Sequence, residues 1–138
     1  MEQARSAPVG RIRWVMVAVD ASIVLISYLV VLVFRFDGEV PDRFWAHFWW
    51  FVPFAILAHV LMNFALGLYS PAWQYRRLIV GGIAAGMILI VGGVYFAPVN
   101  VLPLSVLGLG ALVSTAGFAL ARASRGELRR VLRGAPSD

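Results

Sequence analysis

Residues 14–34 form a run of 21 residues with a single charged member, Asp20. At 1.5 Å per residue a helix of that length reaches about 30 Å, the thickness of a bilayer's hydrocarbon core. Three more apolar runs follow at 44–66, 78–97 and 104–121. None shows the strict alternation of a membrane β-strand. In hydrocarbon every backbone polar group must be satisfied within the protein, which leaves helices as the solution. The composition agrees: at 61% hydrophobic and 14% charged, 138 residues have too little polar surface to cover a soluble globule. The expected fold is therefore all-α and polytopic, a bundle of four transmembrane helices over 14–121. A short polar segment, 1–13, precedes it, and a basic tail, 122–138, follows.

Asp20 tests this reading. A carboxylate costs about 2.5–3.5 kcal/mol at the centre of a membrane helix, whereas each Leu, Ile, Val or Phe returns about 0.3–0.6. The run holds thirteen of those residues, a return of about 4–8 kcal/mol on the same scale. Insertion wins. The Arg-containing start followed by an apolar run also suits a secretory signal, but signal cores span only about 7–15 residues. The run reads as an uncleaved first helix.

Arginines set the expected orientation. All twelve cations are Arg, and the net charge is +5. Residues 1–13 hold three Arg, the central stretch from Gly67 to Arg77 holds two, and the tail holds five. The loop 35–43 has two, offset by three acids, and the loop 98–103 has none. Short cytoplasmic loops collect Arg and Lys, so both termini and the central stretch are expected on the cytoplasmic side of the membrane. Tyr69, Trp73 and Tyr75 suit the headgroup zone, beside Arg76 and Arg77. Arg122 is expected at the same boundary. Leu128, Val131 and Leu132 make an apolar stripe in the tail, which suits a helix lying on the membrane surface. The arginines crowd the ends of apolar runs, so they point to the bilayer, including an anionic or polyprenyl-phosphate lipid, and not to nucleic acid.

Few residues offer chemistry. Asp20, His59, Asn63 and Thr115 fall at similar depth in their runs, each about 10 Å or less from the same boundary. Intramembrane ionisable groups are candidate proton or phosphate sites. The plainer reading is a hydrogen-bonded polar layer that fixes how the helices pack, with Asp20 expected to face His59. Gly82 and Gly86, four apart, and Gly110 and Ser114 on the fourth run are small residues suited to close helix contact. Pro53 is expected to kink the second helix. The chain has two His and no Cys. That leaves no metal-ligand spacing, no thiol nucleophile and no hydrolase elbow. No cofactor or catalytic residue is expected in the chain.

Asp20, Tyr28 and Arg35-Phe36-Asp37-Gly38 resemble the N-terminal membrane domain of bacterial polysaccharide-biosynthesis proteins, the membrane-bound nucleoside-diphosphate-sugar dehydratases and epimerases. Gly67-Leu68-Tyr69, Trp73-Gln74-Tyr75, Pro103-Leu104-Ser105-Val106 and Arg122 extend the resemblance over roughly residues 14–130. Gln74 and Leu104 depart from it, standing where the family pattern has basic residues. The resemblance implies a membrane anchor or scaffold that is not itself an enzyme. In that family NAD and the catalytic residues belong to a following cytoplasmic dinucleotide-binding domain, which this chain is expected to lack. A separate catalytic subunit or a second copy of the chain is then the expected protein partner. A related four-helix domain precedes the initiating sugar-phosphate transferases. Two other classes compete: a small proton-coupled multidrug-type exporter using Asp20, and a lipid-binding accessory subunit.

Because the chain has no Cys, topology is accessible to single-cysteine labelling. Cysteines at Ser6, Ser70 and Ser137 should react only from the cytoplasmic side, and one at Gly38 only from the opposite side. Labelling of position 70 from the periplasm would invert the scheme.

Overall fold

The computed structural model describes residues 9–70, 74–96 and 102–134. They form four helices and, among the described residues, no strand. Helix α1 is Val9–Arg35, α2 is Asp42–Ala65, α3 is Tyr75–Phe96 and α4 is Leu104–Gly134. Each carries a segment long and apolar enough to cross a membrane. Two boundaries differ most from expectation. The first helix begins at Val9, ahead of residue 14. The fourth does not stop at 121. It continues as a single helix of 31 residues, about 46 Å long, so the basic segment leaves the bundle on the same axis. The stripe at Leu128, Val131 and Leu132 has side chains outside those described.

The helices pack in chain order, α1 on α2, α2 on α3 and α3 on α4, and α4 closes the ring against α1 in the most extensive contact of the four. Two reversals set this up. After α1, Asp37 takes φ 51° and the Gly38 amide reaches back to the Val33 carbonyl at 3.0 Å, a left-handed helix stop. After α2, Gly67 takes φ 68°, with the Gly67 amide on Phe64 O at 3.0 Å and the Leu68 amide on Asn63 O at 2.9 Å. Only glycine adopts that backbone without penalty. The turn drives Leu68 into the core, where it is fully buried, and lays Tyr69 over the end of the bundle. Pro53 sits inside α2 on its exposed face and does not end the helix.

Tyr28 is the centre of the core. Its ring packs edge-on against Phe51 at 5.3 Å and against His59 at 6.0 Å, and its hydroxyl reaches the Leu107 carbonyl at 3.4 Å. It fits because Gly110 has no side chain: a Cβ there would collide with the ring. Between α3 and α4, Gly82 faces Thr115 in the same way, and a Cβ on Gly86 would lie 2.8 Å from that of Ala111. The expected small-residue contacts are thus made within the chain. Ser114 is buried beside them and gives its hydroxyl to Gly110 O at 2.7 Å.

The outside of the bundle is as apolar as the inside. Only 28–33% of each candidate span is buried, yet the exposed residues include Trp14, Phe34, Trp50, Ile83, Leu112 and Leu120. Water does not tolerate a continuous apolar surface of this extent. Four helices apolar enough to cross a membrane suggest a multi-pass membrane protein. Gly110→Leu should overpack the Tyr28 site and lower stability by about 1–3 kcal/mol. Gly92, with nothing within 4 Å of its virtual Cβ, should accept Ala without loss. Thermal unfolding in detergent checks both.

Candidate functional site

One carboxylate organises the end of the bundle where α1 begins, α2 ends and α4 leaves. Asp20 is 3% exposed, and three elements converge on it. From α2, Asn63 Nδ2 donates to Asp20 Oδ2 at 3.0 Å. From the turn after Gly67, the Tyr69 hydroxyl donates to the same oxygen at 2.9 Å. From α4, Arg122 Nη2 donates to Oδ2 at 3.0 Å and Nη1 to Oδ1 at 3.4 Å. The two-pronged contact is the arrangement that guanidinium geometry favours with a carboxylate. Arg122 also donates from Nη1 to the Phe118 carbonyl at 3.4 Å, and its guanidinium stands 5.6 Å from the Phe118 ring centre. Its Nε has no protein partner.

Arg122 is the main correction to the sequence reading. Counted there as a headgroup residue at the boundary, it is 6% exposed and ion-paired inside the bundle. The reason is the continuity of α4: with no break after Ala121, position 122 stays on the face that Ser114 and Phe118 turn inward. Tyr69, also assigned to the boundary, is half-buried with its hydroxyl directed at Asp20. Burial, the nearby Asp20 charge and the hydrogen bond to Asp20 raise its phenol above the ordinary value of 10.0. It remains a neutral donor near neutral pH. Tyr75, Arg76 and Arg77 open α3 and are exposed. Trp73 lies outside the described residues.

His59 is buried but does not meet Asp20. Its Nδ1 lies 2.9 Å from the Ala55 carbonyl, which requires the proton on that nitrogen, because a carbonyl only accepts. The ring sits between Tyr28 and Phe118, 6.0 Å from each, and Nε2 has no protein partner. Thr115 is not in the cluster either. Its hydroxyl bonds Ala111 O at 2.8 Å against the bare backbone of Gly82. Of the four residues placed in one polar layer, Asp20 and Asn63 bond directly, while His59 through Nδ1 and Thr115 through its hydroxyl bond carbonyls of their own helices.

Chemically the cluster is a neutral unit whose carboxylate is well supplied with donors. One negative and one positive charge cancel, and Asp20 accepts four hydrogen bonds. A small cleft lined by Met16, Val19, Ala121 and Arg125 lies beside the pair, with a volume of about 10 Å³, room for about one water molecule. Compared with known protein families, with characterised proteins and with solved structures, the chain matches none.

Removing one partner of a buried ion pair strands the other charge, at a cost of about 3–5 kcal/mol, whereas replacing both by apolar residues of similar size is often neutral. Asp20→Leu or Arg122→Met alone should therefore lower the unfolding midpoint sharply. The double variant should recover most of the loss. A double variant as damaged as the two single changes summed would mean that the pair does not act as a unit.

Proposed function

We propose that this chain is a membrane anchor and scaffold of the kind found in bacterial surface-polysaccharide synthesis, lying in the inner membrane with both ends in the cytoplasm. In this reading the module does no chemistry itself. It holds a nucleotide-sugar dehydratase or epimerase domain at the membrane, and NAD and the catalytic groups belong to that domain. The observation that carries the proposal is the single helix α4, Leu104–Gly134, gripped by Asp20 at Arg122. From Arg122 to Gly134 it runs about 18 Å further. A strut fixed at its base suits the positioning of an attached or bound catalytic domain. The resemblance at Arg35-Phe36-Asp37-Gly38 and Gly67-Leu68-Tyr69 supports the choice of pathway class.

The competing exporter reading needs an acid that exchanges protons with either side. Asp20 is instead ion-paired and accepts from three side chains, which counts against that role. Two measurements separate the readings. In the first, the tagged full chain is purified from native membranes and assayed for NAD-dependent dehydration of nucleoside-diphosphate sugars. Activity should co-purify, and deleting residues 127–134 should abolish it. In the second, proteoliposomes with an imposed pH gradient should take up no cationic dye. Dye uptake that disappears in Asp20→Asn would replace the anchor with an exporter.

A further inference from the structure

Helices α3 and α4 enclose a groove of about 460 Å³ that takes no part in the Asp20 cluster. Its floor is low because Gly82 and Gly86 have no side chains to fill it, and Ala111 and Thr115 approach them directly. Its rim is high because Ile83, Met87 and Leu112 stand up on either side. All three rim residues are more than half exposed, so the groove opens on the outer face of the bundle. Along α3 its lining runs from Tyr75 to Ile90, about 22 Å. One leaflet's hydrocarbon is about 15 Å deep, half of the whole. The groove is an apolar slot longer than one leaflet is deep, with room along it for a lipid chain.

Its end at the start of α3 is cationic. Arg76 precedes Ile83 and Met87 by seven and eleven positions, so all three lie on one stripe of the helix. Arg76 is exposed at the head of that stripe. Its neighbour Arg77 is one step further round the helix and faces the other way, with its guanidinium near Gly67. Arg76 thus heads the rim stripe of Ile83 and Met87 at the edge of the slot, and Arg77 does not.

We propose that the α3–α4 groove binds a phospholipid with an anionic headgroup, its acyl chain lying between Ile83 and Met87 of α3 and Leu112 of α4 and its phosphate on Arg76. The charge complementarity selects this occupant over a second copy of the chain. Two copies meeting groove to groove about a two-fold axis along the membrane normal would bring one Arg76 up to the other. In addition, Gly82 and Gly86, the residues most suited to a helix–helix dimer, are already used against α4. The inference holds whatever α4 carries and does not depend on the anchor reading.

The test is native mass spectrometry of the full chain in detergent, titrated with phosphatidylglycerol or phosphatidylcholine. Phosphatidylglycerol should be retained about fivefold more strongly, the weight of one Arg near an anionic surface. Arg76→Ala, an exposed change, should erase that preference, whereas Arg77→Ala should keep it. Ala116→Phe, which fills the groove from its α4 side, should reduce retention of both lipids. Equal effects of Arg76→Ala and Arg77→Ala would reduce the preference to diffuse surface charge and overturn the proposal. So would an Ala116→Phe variant that retains lipid normally. A dimer mass that Ala116→Phe converts to monomer would assign the groove to a second copy and overturn it equally.

Discussion

A carboxylate shut away from water has to be matched by protein donors, and in this chain that demand falls on Asp20. The cost of a stranded charge in a low-dielectric interior is several kcal/mol, larger than any single apolar contact returns. Arg122, Asn63 and Tyr69 meet it, and each comes from a different element. The rotation of α1 about its axis, the register of α4 against it and the path of the chain after α2 are all constrained by one side chain. The apolar core beneath, from Val24 through Tyr28 to Phe118, supplies attraction without direction. The ion pair supplies the direction.

That division explains why a backbone detail matters so much. The left-handed turn at Gly67 is what places Tyr69 within reach of a carboxylate 49 positions earlier in the chain. A residue unable to adopt that turn would send Leu68 and Tyr69 outward, removing a core side chain and a donor together. The close approaches at Gly82, Gly86 and Gly110 serve the other half of the bundle. They let α4 sit near enough to α3 and α1 for Arg122 to arrive at the right depth.

The four helices were legible in the sequence because length and hydropathy are local properties: any run of some 20 apolar residues has few other options. Gly82, Gly86 and Gly110 were legible as contact points for a similar reason, since small residues in apolar helices have little else to offer. What was not legible was the partner of Asp20. His59 matched it in depth, but depth says nothing about which way a helix is turned, and α2 turns Asn63 rather than His59 towards the acid. Arg122 was misplaced because positive charge at the end of an apolar run looks the same whether it faces headgroups or a buried carboxylate. The one available signal was numerical: a single acid inside the first run and the first cation after the fourth, at matching depth on what proved to be neighbouring helices.

The closure of the ring by its first and last helices has a consequence for biogenesis. Asp20 and Arg122 are 102 positions apart, so a chain delivered to the bilayer N-terminus first presents the acid long before its counter-ion exists. At about 5–20 residues per second the wait is about 5–20 s. Asn63, only 43 positions later, reaches the membrane within the first half of that interval and offers a first donor. The order of the partners along the chain is thus also an order in time, with the weak neutral donor covering the acid until the ionic one joins it.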